Sequence, residues 1–408
     1  MELIKKLPQL MPFFNKRYRK KTIVIINGEI PGTTFLQRHI KNISELKFHI
    51  ILLGNFNGVW KEKTDNITVI GFKSNIHRVY VLLKYFLLIL LFSPPTLLKY
   101  IQVNMRDLSF KKMVQHFPVL YSNPELIHIQ WAKSIQEWFW IKHFGVKIIL
   151  SLRGAHINYS PLADVNLAKQ YQYLFPKIDA FHAVSRAIQN EALKYGLKKT
   201  KSKVIYSAIE INNTSKSKEE ITHPKLKLLS VGRPHWKKGY LYSLDACAHL
   251  KSDGIEFNYM IIGGLSEENY FHIKDLDLEE HIIIRPHLKF NEIINEMENS
   301  SLLLLPSVEE GIANVVLEAM ACGLPVLSSN CGGMQEIIKD GMNGFLFNRR
   351  DPIQISNKIK EFLSLNTNEI HRLIINAKKV IKDNHNSNNY TKDFDLFYSK
   401  VMKGKPVG

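Results

Sequence analysis

Short apolar runs alternate with helix-length segments along almost the whole chain. In the first half the runs are TIVIIN (22–27), FHIILLG (48–54), ITVIGF (67–72), ELIHIQW (125–131), KIILSL (147–152) and AFHAVS (180–185). They are short, apolar and rich in Ile, which reads as buried strand, and the stretches between them are long enough for helices. That alternation predicts βαβ units and a parallel, doubly wound sheet.

The pattern breaks at 210–224, EINNTSKSKEEITHP, which is polar and ends in proline and so reads as a linker. It then restarts with LKLLSVG (226–232), NYMIIGG (258–264), HIIIRP (281–286), SLLLLPS (301–307), PVLSSN (325–330) and GFLFN (344–348). The expected fold class is therefore α/β, with two Rossmann-like domains facing a cleft. The first domain covers 1–209 and the second 225–385, and a last helical stretch in 386–408 packs back on the first. In such folds ligands bind outside the carboxyl ends of the strands.

One stretch departs from the amphipathic norm. VYVLLKYFLLILLFSPPTLLKYI (79–101) has an uninterrupted apolar run, Tyr85–Phe92, bounded by Lys84 and Pro94–Pro95. It falls far short of the roughly 20 residues a spanning helix needs, so a core helix or a patch lying on a membrane surface fits better. Arg78, Lys84 and Lys99 flank it, as an anionic surface would require.

Composition is that of a globular protein, but the formal charge over 408 residues is +18. An excess of that size points to an anionic partner: nucleic acid, an anionic membrane or phosphorylated ligands. No RNP-like, zinc or helix-turn-helix signature accompanies it, and the aromatics are not interleaved with basic clusters, so no nucleic-acid partner is expected. Cys247, Cys322 and Cys331 have neither zinc spacing nor a disulfide-framework count, and a reducing cytosol is the simple reading. The first 28 residues lack the h-region of a signal peptide and mix apolar residues with Lys16, Arg17, Arg19, Lys20 and Lys21. They read as a solvated tail or as an interfacial segment that places the protein on the inner face of the cell membrane.

The chemistry concentrates in the second half. LLSVGRPHWKKGYLYSLDA (228–246) runs strand, loop, helix; Gly232 lets the backbone turn, and Arg233 and Lys238 project from the loop. Two cations at a strand's carboxyl end suit a diphosphate leaving group, whose negative charge grows as its bond breaks. Lys237 reads as the lysine that merely faces solvent. In PSVEEGIANVVLEAMACGLPV (306–326) a loop through Gly311 leads into a helix starting near Asn314, a good N-cap residue. The N–H groups from Gly311 through Ile312, Ala313, Asn314 and Val315 form an anion site. Glu310 sits beside it, where an acid is tolerated if it bonds hydroxyls, and Glu318 is placed to accept from a ribose. Downstream, Gly332–Gly333 precede another helix start containing Glu336, a second place of close backbone approach.

Arg233 and Lys238, the pair Glu310 and Glu318, EAMACGLPV and GGMQEII followed by GFLF resemble the donor-binding half of family 4 glycosyltransferases, which are retaining, nucleotide-sugar-dependent enzymes of the GT-B type. The resemblance covers roughly 225–350; in the first half IPGTTFLQRHI and SRAI after AFHAV are also similar. It implies that Arg233 and Lys238 bind the diphosphate and that Glu310 holds the donor sugar's hydroxyls. Glu318 would hold the ribose, while Gly232, Gly311, Ile312, Ala313, Asn314 and Val315 line the donor. The acceptor, a glycan or a lipid-linked one, would bind the first domain. Gly28 and Gly32 occupy the place of the family's glycine-containing loop near donor phosphate and acceptor, where ordinary turn glycines are the plain alternative. The family's histidine aligns with Arg153, with His156 three residues on, and the choice between them is open. YSAI (206–209) stands where the family has Asn-Gly.

The aspartate pairs of DLD (275–277) and DFD (393–395) lie among polar, helix-like residues, so no metal site and no cofactor are expected, Arg233 and Lys238 taking a metal's part. The competing enzyme readings are a phosphorylase or a nucleotide-sugar epimerase on a similar fold; no lysine stands out as a Schiff-base former.

Overall fold

The structure is a computed structural model that describes residues 20–58, 60, 64–209 and 225–408. Residues 1–19 of the basic amino-terminal segment and the predicted linker 210–224 lie outside the described residues. Two compact units result. The first is Met1–Val184 with Gln189–Ile205 and Tyr390–Gly408, as far as its residues are described; the second is Ser185–Ile188 with Tyr206–Asn389.

The first unit holds a seven-stranded, wholly parallel sheet of β1 (Thr22–Ile30), β2 (His49–Phe56), β3 (Ile67–Phe72), β4 (Leu126–Ile129), β5 (Lys147–Leu152), β6 (Ala180–Ala183) and β7 (Ser202–Val204), in the order β3-β2-β1-β4-β5-β6-β7. The second holds six parallel strands, β8 (Leu226–Val231), β9 (Phe257–Ile262), β10 (Ile282–Arg285), β11 (Leu302–Leu305), β12 (Val326–Ser329) and β13 (Phe345–Phe347), ordered β10-β9-β8-β11-β12-β13. In both, the order reverses beside the first strand of the unit, between β1 and β4 and between β8 and β11. That reversal opens a crevice at the strands' carboxyl ends.

Burial on both faces explains why the strands read as continuous apolar runs rather than alternating ones. In the second unit Leu228 and Leu304 point into one core with the helix Tyr240–Ser252, while their neighbours Leu229 and Leu303 point into another with the helix Asn314–Cys322. The strand period of two thus splits one apolar run between two cores.

Two boundaries differ from the sequence division. Ser185–Ile188 and Tyr206–Ile209, assigned to the first domain, pack with the second unit. The cause is Glu336, whose carboxylate accepts the backbone N–H groups of Arg186 and Ala187 at 2.9 Å each and the Tyr206 hydroxyl at 2.8 Å. Ile209 is buried in the second unit's core and donates its N–H to the His385 carbonyl.

The last helix, Ser387–Met402, belongs from Tyr390 onward to the first unit and buries Tyr390, Phe394, Phe397 and Tyr398. Its tyrosines meet buried histidines: Tyr390 with His39 Nδ1 at 2.8 Å and Tyr398 with His128 Nδ1 at 2.9 Å. From His128 the chain continues through Ser151 Oγ to His182, whose Nε2 lies 3.0 Å from the Ile205 carbonyl. A carbonyl only accepts, so His182 carries its proton on Nε2 and accepts from Ser151 on Nδ1. Ser151 then accepts from His128 Nε2–H, and His128 Nδ1 accepts from Tyr398. Every ring in that chain is neutral. Burial, with Arg153 adding to it, pushes His182 down to about 3, and His39 and His128 are held well below the usual range chiefly by burial.

The apolar stretch 79–101 forms no core helix. It lies within two helices, Asn75–Phe92 and Pro94–Asn104, and in the first only Val81 and Ile89 are buried. Pro94 ends one helix and opens the next, a position where its missing N–H costs nothing.

Candidate functional site

The loop from β8 to the helix Tyr240–Ser252 carries Arg233, Lys237 and Lys238. Gly232 has ordinary backbone angles, so its role is room rather than turning: a Cβ there would sit 2.9 Å from Lys238 Cε and from the Tyr240 hydroxyl. The turn itself is made at Gly239, with φ +69°. A Cβ on Gly239 would fall 2.0 Å from the Pro306 carbonyl oxygen, so this glycine lets the loop lie directly against the one that follows β11. The Val308 N–H closes the contact on the Lys237 carbonyl at 2.7 Å.

That apposition brings Glu310 to the lysines. Lys238 Nζ lies 2.7 Å from Glu310 Oε1 and Lys237 Nζ 3.4 Å from Oε2, while the Ser307 hydroxyl donates to Oε1 at 3.2 Å. Glu310 is 8% exposed. Burial alone would raise its carboxyl; Lys238 and Lys237 outweigh burial and hold it below the usual carboxylate range. Lys237 is therefore no solvent-facing residue: its side chain is only 15% exposed, and it shares the carboxylate. Arg233 is exposed on the same loop.

The helix after the loop spans Asn314–Cys322, but its N-cap is Ala313 rather than Asn314, with no side-chain cap bond. The helix's first N–H groups, from Asn314 and Val315 on, thus look out beside Gly311 and Ile312 without a side chain of their own N-cap over them. The Glu310–Gly311 backbone is clamped from below. Gly332 has φ +50°, and a Cβ on it would lie 1.7 Å from the Glu310 carbonyl oxygen; Gly333 N–H donates to the Gly311 carbonyl at 2.7 Å. Glu318 is partly buried about one turn into the helix.

The first unit has its own polar cluster at the carboxyl ends of β1, β4 and β5. Gly28 and Gly32 both take positive φ, +77° and +75°. A Cβ on Gly32 would come within 2.9 Å of the Glu29 carbonyl, and Gly28 lies against Trp131, whose Nε1 donates to the Asn27 carbonyl at 3.3 Å. The Trp131 ring faces His156 with centroids 5.4 Å apart. Burial, reinforced by Lys133, pushes His156 down to about 4.

The two residues left open by the sequence differ in their contacts, though Arg153 also keeps a buried Nε with no partner among the described residues. Arg153 is held over Phe35, 4.5 Å from the ring centroid, and donates to Gln130 Oε1 at 2.8 Å. His156 keeps a buried Nδ1 with no partner among the described residues, as do Asn27 Oδ1 and Gln130 Nε2. Unpaired buried polar atoms are rare in folded proteins, and three of them gather here beside Trp131. Asn27, Gln130, Trp131 and Ser307 were not singled out from the sequence, and Lys237 was read as facing solvent. For Lys237, the pairing of KK with EE across the two loops was the available signal; for the others there was none.

Among the described residues no group of His, Cys, Asp or Glu is arranged to hold a metal. Asp275 ends the helix Glu267–Asp275, Asp277 follows it in a turn, and Asp393 and Asp395 lie on the last helix.

Two doubly wound parallel sheets, the second with cations and a helix start at its switch point, define an α/β fold of the GT-B type. Residues 212–380 match the family model described as "Glycosyl transferases group 1". The putative colanic acid biosynthesis glycosyltransferase WcaL of Escherichia coli K12 is 26% identical over 257 residues, 60% of this chain and 63% of that protein. The amylovoran biosynthesis glycosyltransferase AmsK of Erwinia amylovora is 30% identical over 230 residues, 54% of this chain and 56% of that one. The chain thus spans less than two-thirds of the length of either relative. Among solved structures, Anabaena Alr3699/HepE in complex with UDP superposes with a TM-score of 0.67 at 17% identity, covering 93% of this chain and 100% of that one, a likeness of fold.

Proposed function

We propose that the protein is a retaining glycosyltransferase that moves a sugar from a nucleoside-diphosphate sugar to a hydroxyl of a glycan or lipid-linked acceptor, in the synthesis of a cell-surface polysaccharide or glycolipid. The observation that carries this reading is the Lys237–Glu310–Lys238 cluster at the switch point of the second sheet. The diphosphate takes over the two ammonium groups, with Arg233 and the N–H groups at the start of the helix Asn314–Cys322 completing its shell. Glu310, released from the lysines, then accepts from the donor sugar's hydroxyls, and Glu318 from the ribose.

In the transfer, the acceptor oxygen bonds to the anomeric carbon on the face from which the diphosphate departs. The bond from that carbon to the phosphate oxygen breaks, and the acceptor's proton passes to the departing phosphate. Lys237, Lys238 and Arg233 offset the charge that develops there. The unpaired Asn27, Gln130 and His156 atoms beside Trp131 support an acceptor site in the first unit, where hydroxyls complete their bonding. The names of WcaL and AmsK, glycosyltransferases of colanic acid and amylovoran biosynthesis, support a glycan acceptor.

Glu310→Ala and Lys238→Ala test the reading, assayed with a panel of nucleotide sugars and the product anomer identified. Loss of transfer in both, with the fold kept, is expected; retained transfer in either removes the assignment. Release of a sugar phosphate only when inorganic phosphate is added would instead mark a phosphorylase.

A further inference from the structure

We infer that the outer face of the helices Asn75–Phe92 and Pro94–Asn104 is a docking surface for an anionic membrane, on which the first unit rests without spanning the bilayer. The helix Asn75–Phe92 exposes Ile76, Val79, Tyr80, Leu83, Leu87, Leu90 and Leu91, four of them more than half exposed beyond Leu87's 52%: Ile76 84%, Leu91 71%, Tyr80 59% and Leu83 55%. At 3.6 residues per turn these seven fall within an arc of about 120°, with the buried Val81 and Ile89 on the opposite side. The stripe is therefore one continuous apolar face turned away from the core. Leu98, Ile101, Met105, Leu108 and Phe110 extend the exposed apolar surface along the chain. A soluble surface rarely leaves so much contiguous apolar area open unless something covers it.

Charge selects the occupant. Between residues 75 and 112 there are six cations, Arg78, Lys84, Lys99, Arg106, Lys111 and Lys112, against one acid, Asp107. Lys84 borders the apolar stripe, and Lys84, Lys99, Arg106 and Lys111 are exposed. An apolar face edged by cations with long aliphatic stems fits acyl chains beneath anionic headgroups. A protein partner would need an acidic rim of matching shape, and nothing in the structure argues for one.

Length and packing argue against a span. The helix is the one among the described residues long and apolar enough to cross a membrane, but its 18 residues rise only about 27 Å. Its inner side is committed to the unit: Phe86 stacks on Phe117 with centroids 6.1 Å apart, and Tyr85 meets Tyr121 at 5.6 Å. Spanning would strip those contacts from the helix Phe110–Ser122.

The inference goes beyond glycosyl transfer, and its test uses neither donor nor acceptor, so its failure leaves the transfer reading intact. The full chain is co-sedimented with vesicles of phosphatidylcholine alone and of phosphatidylcholine with phosphatidylglycerol. The wild-type chain is expected to pellet with the anionic vesicles, less so as salt rises. The triple variant Leu83→Glu, Leu87→Glu, Leu91→Glu should bind at least tenfold more weakly with an unchanged melting temperature. If that variant fails to fold, Leu91→Glu alone, at an exposed position in the last turn, should still weaken binding several-fold. Lys84→Glu with Lys99→Glu should erase the preference for anionic vesicles. Unchanged pelleting of the folded leucine variants overturns the inference. So does a wild-type chain that ignores vesicles but forms a dimer the variant loses, since the occupant is then a second copy. Resistance of the bound chain to alkaline extraction overturns the surface-lying geometry.

Discussion

Lys237 shows how far a single residue's reading depends on its neighbours. In the sequence it is one of two adjacent lysines and reads as the solvated one, yet both ammonium groups reach the same buried carboxylate. The reason is Gly239, whose positive φ turns the loop so that both lysines face the end of β11. Gly239→Ala combines left-handed strain of about 1–3 kcal/mol with a clash against the Pro306 carbonyl. It is expected to lower the melting temperature by several degrees and to weaken nucleotide binding, read by thermal unfolding with and without a panel of nucleoside diphosphates; an unchanged melting curve would show that the loops are not held together there. Lys237→Ala should weaken nucleoside-diphosphate binding by about tenfold, the scale of one charge-assisted contact. Calorimetry reads it, and an affinity equal to wild type would return Lys237 to the solvated surface. Arg153 and His156 make the same point in reverse. The sequence left open which of them takes the family histidine's place; in the structure Arg153 engages Gln130 and Phe35, and each of the two keeps one buried nitrogen unpaired.

At the scale of elements, most of the fold was legible because nearly every strand is buried on both faces and so announces itself as an apolar run. β7 was missed since Ser202–Val204 is three residues long, lies at the sheet edge and carries a lysine. For the helix Asn75–Phe92 the sequence left a core helix and a surface patch both open, because a helix that is apolar nearly all round does not say which side meets the core. Nor could the sequence show that the last helix ties into a chain of neutral histidines, since His39, His128 and His182 are far apart from Tyr390 and Tyr398 along the chain. That chain predicts an acid sensitivity. Each ring's folded-state pKa is depressed, so its contribution to stability is complete above the unfolded value near 6.5 and is lost as pH falls toward the folded value, about 3 for His182. His116, pushed down to about 3 chiefly by burial, adds to the same slope. Unfolding free energy should fall by about 1.4 kcal/mol per pH unit for each such histidine below pH 6. Urea melts at pH 7, 6 and 5 measure the slope, and His128→Gln with His182→Gln should flatten it; equal stability at pH 7 and 5 would mean that these rings are not buried neutral.

For the whole molecule, the two sheets share one strand order, yet their switch points carry different chemistry. The second collects Lys237, Lys238, Arg233 and a helix start, a set suited to phosphate. The first collects unpaired Asn27, Gln130 and His156 atoms beside Trp131, a set suited to hydroxyls. The proposed phosphate site and the cation-edged apolar face would together account for part of the excess of cations in the composition. Which sugar and nucleotide the donor carries was not legible, because those contacts depend on a few side chains whose identity is not fixed by the fold. The central claim is that the loops after β8 and β11 form the donor site. Its most direct test is thermal unfolding of the wild-type chain and of Lys238→Ala against a panel of nucleotide sugars, since a ligand that binds only the folded state raises its stability by mass action. At least one nucleotide sugar should raise the wild-type melting temperature, and Lys238→Ala, folded and melting close to wild type when unliganded, should lose that rise. An equal rise in Lys238→Ala would contradict the central claim.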